Sequence, residues 1–217
     1  HHLQASITPS GTHNYIKHLA DAARVMGPSL DWRWLREIAI RLERLVTPKN
    51  KRPRMVSSHQ LADLGRQLMS GAEQQKGLRP KERAILYRDG LMIALLAART
   101  LRRRNLAGIR IGRNLIHCSD GYHLVFKAHE TKTHTPLEFM VPDDLVGLLQ
   151  NYLDVHRPNI TGADTHDGLW ASAKGCPLRE EAIYDRIILH TKKAFGRSIN
   201  PHLFRDCVAT TIAIEDP

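Results

Sequence analysis

The segment Tyr122-His123-Leu124-Val125-Phe126, joined through residues 127–136 to Leu137-Glu138-Phe139-Met140-Val141, decides the fold class. Both pieces place large apolar side chains at every second position, the period of a strand with one buried face. The connection is mostly polar and ends in Pro136, so the two strands are expected to form an antiparallel hairpin. On either side the periodicity is helical. Upstream, helices are predicted over 8–26, 32–46, from Ser57 or Ser58 to about Ser70, over 81–98 and over about 102–109. Downstream they are predicted over 143–155, 179–195 and 201–214. The segment from Leu91 to Ala98 is apolar on all sides and is expected to be buried. The fold class is therefore mainly α with a small antiparallel β-sheet, an α+β arrangement.

One interruption divides the chain. Thr47-Pro48-Lys49-Asn50-Lys51-Arg52-Pro53-Arg54 holds two prolines and four cations, which suits neither a helix nor a strand interior. Residues 47–56 are read as a basic linker between a helical segment, 1–46, and a larger domain, 57–217. The 217 residues carry a formal charge of +10, and +6 of it lies in residues 1–56. Nucleic acid is the first partner such a charge suggests and an acidic membrane surface the second. No apolar run approaches the roughly 18 residues needed to span a bilayer.

In the second predicted helix Leu35, Ile38, Ala39, Leu42 and Leu45 share one face, and Arg33, Arg36, Arg41 and Arg44 occupy the other. Such a face is either simply solvated or turned toward phosphates. Three further clusters could carry chemistry. Between Arg99 and Arg113 stand six arginines, with Leu101, Leu106 and Ile109 able to anchor a short helix that fixes at least one of them as a bidentate phosphate ligand. The connection Glu130-Thr131-Lys132-Thr133-His134 offers a lysine as a point charge or proton donor. In Pro201-His202-Leu203-Phe204-Arg205, Pro201 suits a helix start and His202 and Arg205 project to one side, with Leu203, Phe204, Val208, Thr211 and Ile212 buried. Each cluster alone is also what an ordinary surface provides. No metal ligands are expected. The three cysteines, Cys118, Cys176 and Cys207, form no Cys-x-x-Cys pair, and His129-Glu130 with His134 has the wrong spacing for a helical zinc box.

Taken in order, the three clusters resemble the catalytic domain of the tyrosine recombinases, the phage-integrase family. Thr100-Leu101-Arg102-Arg103-Arg104-Asn105-Leu106 fits that family's first arginine motif, with Asn105 where a glutamate is usual. Thr131-Lys132-Thr133 ahead of Val141-Pro142 fits its lysine hairpin. Pro201-His202-Leu203-Phe204-Arg205 with Ala209-Thr210 fits its His-x-x-Arg box. The resemblance covers about 57–217 and makes 1–46 the end of a helical core-binding domain.

It implies that a tyrosine attacks a scissile phosphate, leaving a 3′-phosphotyrosyl link and a 5′-hydroxyl that a second strand reverses. Arg102 and Arg205 would neutralise the phosphorane, Lys132 would protonate the leaving oxygen, and His202 would bind the phosphate or assist proton transfer. Arg33, Arg36, Arg44, Lys49, Lys51, Arg52 and Arg54 would grip the DNA backbone. The implied partner is double-stranded DNA, engaged by a homotetramer, with no cofactor or metal, in a bacterial or phage-derived cytoplasmic setting. Tyr15, Tyr87, Tyr122, Tyr152 and Tyr184 do not occupy the nucleophile's position, so the chain is expected to lack its nucleophile, to look cut at both ends and to bind without cleaving. The competing expectations are a non-catalytic DNA-binding protein on the same fold and an RNA-binding helical protein. The second is disfavoured by the lack of clustered aromatics in the sheet.

Overall fold

The computed structural model describes residues 7–47 and 50–215. The chain divides into two compact units, residues 1–53 and 54–217.

In the first unit, α1 (Pro9–Met26) is capped by Thr8, whose Oγ1 accepts from Gly11 N–H at 3.2 Å, with Pro9 in the first turn. α2 (Arg33–Glu43) packs against it through Leu35 and Ala39, and the Ala39 carbonyl lies 3.0 Å from His13 Nδ1. The apolar stripe of α1 is not its buried face. Tyr15, Leu19 and Met26 are 63%, 53% and 87% exposed, and Thr12 is the residue in the seam. Two helices share only one line of contact, so a wider apolar stripe stays open.

The second unit is built around α4. Ser57 and Gln60 form a reciprocal capping box at the start of α3 (Ser58–Gln74), which runs past Gly71, where a loop was expected. α4 (Pro80–Ala98) is buried on every side from Tyr87 to Ala97. The two helices approach at Gly65 and Gly90. A methyl group on Gly65 would sit 2.7 Å from the Gly90 carbonyl oxygen, so only glycine lets the backbones come this close. The short helix α5 (Arg103–Ala107) follows, then the sheet.

The sheet has three antiparallel strands in the order β1 (Leu115–Cys118), β2 (Gly121–Phe126), β3 (Leu137–Met140), with Leu124 opposite both Leu115 and Phe139. The hairpin of β2 and β3 is the expected one. β1 was not expected, since four residues with only Leu115 fully buried leave little alternation to read. α6 (Asp143–Asn151) runs into a π-helical turn, Tyr152–His156, and α7 (Glu180–Phe195) and α8 (Pro201–Glu215) complete the unit.

Trp170, Tyr87, Tyr152, Phe126 and Phe204 are the largest apolar side chains of one continuous core. Truncating a residue such as Phe204 there costs about 3–5 kcal/mol. Inside this core Asp89 accepts from Arg88 (Nε at 3.0 Å, Nη2 at 2.6 Å) and from Arg186 Nε at 2.6 Å, and lies 2.9 Å from His190 Nε2. Burial alone would raise its carboxyl, but Arg88, His190 and Arg186 outweigh that and hold it below the ordinary carboxylate range.

Candidate active site

Three segments far apart in sequence are tied together by side chains reaching main-chain carbonyls. Arg102 is the residue just before α5, in extended conformation and half-buried. α5 is only five residues long, so its position depends on anchors. Leu101, Leu106 and Ile109 are buried, and Trp170 Nε1 donates to the Leu106 carbonyl at 2.8 Å. Asn105, also buried, donates from Nδ2 to the Glu130 carbonyl at 3.1 Å, which links the Arg102 segment to the connection that carries Lys132.

That connection is a short 3₁₀ turn (Ala128–Glu130) and a loop, more elaborate than a simple β-turn. The Glu130 carboxylate organises it, accepting from Lys127 N–H at 2.8 Å, Arg113 Nη2 at 3.1 Å and Asn114 Nδ2 at 3.3 Å. The Lys127 N–H bond is the main reason its carboxyl is held below the usual range. Thr131 Oγ1 accepts from Thr135 N–H at 3.1 Å and lies within hydrogen-bond reach of the Ala128 and Thr135 carbonyls. Lys132 follows directly and is exposed.

α8 supplies the third segment. Asn200 Oδ1 accepts from Leu203 N–H at 2.9 Å and Pro201 is the first helical residue, as expected. Leu203, Phe204, Cys207 and Thr211 are the buried face. Ile212, expected inside, is 58% exposed, and Cys207 occupies the seam instead. His202 and Arg205 face outward. Arg205 Nε donates to the Thr100 carbonyl at 3.0 Å, two residues before Arg102.

The six arginines from Arg99 to Arg113 separate by their partners. Arg99 donates to the Met140 and Ala98 carbonyls, and Arg103 pairs with Glu180 and lies over the Tyr184 ring. Arg110 pairs with Asp167 and Arg113 with Glu130. Among the described residues, the side chains of Arg102 and Arg104 have no hydrogen-bond or ion-pair partner, and neither do those of Lys132 and His202. Arg102 is the half-buried one of the two arginines, which gives it the more fixed position.

The outlying basic residues also differ. Arg33 donates from Nε to both carboxylate oxygens of Asp31 at 3.1 Å, so its charge is locally matched. With Arg36 it lines a cleft of about 530 Å³ between α1 and α2 that also includes Lys17 and Trp32. Arg44, Lys51 and Arg52 are exposed. Arg54, the first residue of the second unit, donates from Nη2 to the Ser198 carbonyl at 3.0 Å within that unit. Lys49 lies outside the described residues.

Four of the five tyrosines are committed to other contacts. Tyr87 donates to the Leu148 carbonyl and Tyr152 to that of Leu169, and burial pushes the Tyr152 hydroxyl up to about 12. Tyr122 bonds Gln150, Tyr184 is half-buried beneath Arg103, and Tyr15 belongs to the first unit. Sequence reasoning missed Glu130 and Asn114 as organisers of the lysine loop. A carboxylate three residues after Lys127, the pattern of a capped turn, was the available signal.

Comparison with known proteins shows the family of the chain that carries this arginine loop, lysine hairpin and His-x-x-Arg helix. The chain belongs to the phage integrase family, whose profile matches residues 66–215. It is similar to tyrosine recombinase XerD of Chlorobaculum tepidum, 29% identical over 126 residues, and to tyrosine recombinase XerD of Pseudomonas aeruginosa, 29% identical over 124 residues. These matches cover 58% and 57% of this chain and 40% of each relative, so the chain spans about two fifths of the length of the curated relatives it matches. No solved structure gives a significant match. Among the described residues, no helix is long and apolar enough to cross a membrane.

Proposed function

We propose that the second unit is the catalytic domain of a site-specific tyrosine recombinase, which breaks and rejoins DNA through a 3′-phosphotyrosyl intermediate. The observation that carries this reading is the pair of ties, Arg205 to the Thr100 carbonyl and Asn105 to the Glu130 carbonyl. They gather the segments bearing Arg102, Lys132, His202 and Arg205. In this reading Arg102 and Arg205 hold the non-bridging oxygens of the scissile phosphate and offset the charge of the pentacoordinate state. Removal of one such stabiliser slows a reaction by about 10²–10³. Lys132 donates the proton to the departing 5′-oxygen, and His202 hydrogen-bonds the phosphate. The first unit, as the end of a core-binding domain, and the basic stretch beyond it contribute backbone contacts to double-stranded DNA. The working assembly on two duplexes is a homotetramer.

In this reading the attacking tyrosine is none of Tyr15, Tyr87, Tyr122, Tyr152 and Tyr184, which is supported by the bonds that the Tyr87, Tyr122 and Tyr152 hydroxyls make to other groups and by the place of Tyr184 beneath Arg103. The 217-residue polypeptide is therefore expected to bind duplex DNA and form no covalent adduct. Incubation with nicked recombination substrates followed by denaturing electrophoresis tests this, and an adduct overturns it.

The same tyrosine environments favour a second reading, a DNA-binding protein that uses the assembly for occupancy alone. The readings separate in a longer polypeptide that supplies a tyrosine after α8. Arg102→Ala and Arg205→Ala should abolish its cleavage and leave most salt-dependent binding, whereas equal loss of both supports occupancy alone.

A further inference from the structure

Closure of the β1–β2 hairpin brings together three side chains that spacing alone does not single out as metal ligands. Cys118 and Gly121 are the last cross-strand pair, so Cys118 and His123 lie on the same face of the sheet, and Asp120 projects from the turn between them. Gly121 has φ +126°, a conformation that lets this tight turn form. The Cys118 sulfur, a carboxylate oxygen of Asp120 and a ring nitrogen of His123 all lie within 4.8 Å of one another. Ligand atoms on a tetrahedral zinc ion, with bonds of about 2.0–2.3 Å, stand roughly 3.5 Å apart, so small side-chain rotations complete the set.

A second observation points the same way. His123 Nε2 is 2.9 Å from Asp120 Oδ1, and its other nitrogen, Nδ1, is 3.5 Å from Glu138 Oε1 on β3. A carboxylate behind the non-ligating nitrogen is the usual support of a metal-bound histidine, since it orients the ring and raises its basicity. Cys118 and Asp120 are exposed, so an ion reaches the site without any rearrangement of the core.

We propose that this hairpin binds one zinc ion through Cys118 Sγ, Asp120 and His123 Nε2, with water completing the tetrahedron and Glu138 orienting His123. The mixed sulfur, nitrogen and oxygen set favours zinc over magnesium and calcium, which take oxygen ligands. Binding releases the Cys118 thiol proton and replaces any proton shared between His123 Nε2 and Asp120. The site is at the start of β2 and Lys132 lies beyond its end, so the inference does not rest on the recombinase reading. Its consequence is a pinned β1–β2 turn.

The test uses the full 217-residue chain with Zn²⁺ in calorimetry and Co²⁺ in absorption spectroscopy. One metal per chain and a thiolate-to-cobalt charge-transfer band are expected. Cys118→Ser should remove the band and weaken zinc binding by about 100-fold or more, whereas Cys176→Ser should leave both unchanged. Glu138→Gln should weaken zinc binding by about 10-fold, the lower end of losses for supporting groups. Circular dichroism checks that each variant is folded. Absence of the band, its persistence in Cys118→Ser, its loss in Cys176→Ser, or zinc binding unaffected by His123→Ala would each overturn the proposal.

Discussion

Arg205 Nε donates to the main-chain carbonyl of Thr100 at 3.0 Å, so the helix that carries the His-x-x-Arg box holds the loop that carries Arg102. The bond uses the Nε of the guanidinium and leaves its two terminal nitrogens available to an external anion. Arg205 thus serves as both a brace and a phosphate ligand in the proposed reaction.

Arg205→Lys separates these roles. Lysine keeps the charge and loses the planar fork. Binding of duplex DNA by the 217-residue chain should fall by less than about threefold, while amide hydrogen exchange at residues 100–106 accelerates by roughly tenfold or more, for loss of a bond worth about 1.5 kcal/mol. Unchanged exchange would show that the brace is not needed.

Asn105→Asp places a carboxylate against the Glu130 carbonyl in the same shape, so a donor becomes an acceptor. Asn105→Ala merely removes the donor. Urea unfolding should show a loss of about 1–3 kcal/mol for alanine and a larger loss for aspartate, because a buried charge is then left without a partner.

Asp89→Ala strips the buried Arg88 of its counterion and should destabilise the second unit by about 3–5 kcal/mol in denaturant unfolding. Because the native carboxyl is held low, its contribution is fully present above the ordinary aspartate pKa of 3.8. It is lost as pH falls through the native value, so the variant should lack that part of the acid transition.

His156 is buried and stacked on Tyr87, with ring centroids 3.8 Å apart. Burial, with some help from Arg83, holds its pKa below 6.5, so the unfolded chain takes up this proton first as pH falls. Stability should be fully present above pH 6.5 and decline below it. His156→Phe should flatten that decline between pH 7 and 5, though His166, lowered in the same way, keeps part of the slope.

Arg36→Gln and Arg44→Gln test the basic face of α2. If each arginine meets a DNA phosphate, each substitution should reduce the slope of log affinity against log salt by about 0.9. Arg33→Gln should change it less, because Asp31 already neutralises that charge. Equal slopes in all variants would mean that this face stays in solvent.

The legible parts of the fold were those set by local periodicity. Leu124 and Phe126 announce a strand, and Pro201 a helix start. The illegible parts depend on partners distant in sequence. β1 is visible only beside β2, and charge alone does not separate Arg102 from Arg99; the motif register selects Arg102, and in the structure Arg99 is engaged with the Met140 and Ala98 carbonyls. The stripe of α1 stays exposed, since periodicity shows which face is apolar but not whether anything covers it. Arg88 and Asp89, a charged pair entering an otherwise apolar helix, were a readable sign of a buried ion cluster. Their partners Arg186 and His190 lie about a hundred residues away. For the candidate site, the ordered motifs singled out three segments, and the ties through Asn105 and Glu130 emerged only in three dimensions.

The brace from Arg205 ends on a peptide oxygen, and that has an evolutionary consequence. Every residue type at position 100 presents the same acceptor, so mutation there leaves the contact intact. Only the donor's chemical identity matters to the contact. Position 100 can therefore drift among diverging sequences while the arginine that reaches it is retained, and conservation at one end of this contact need not be mirrored at the other.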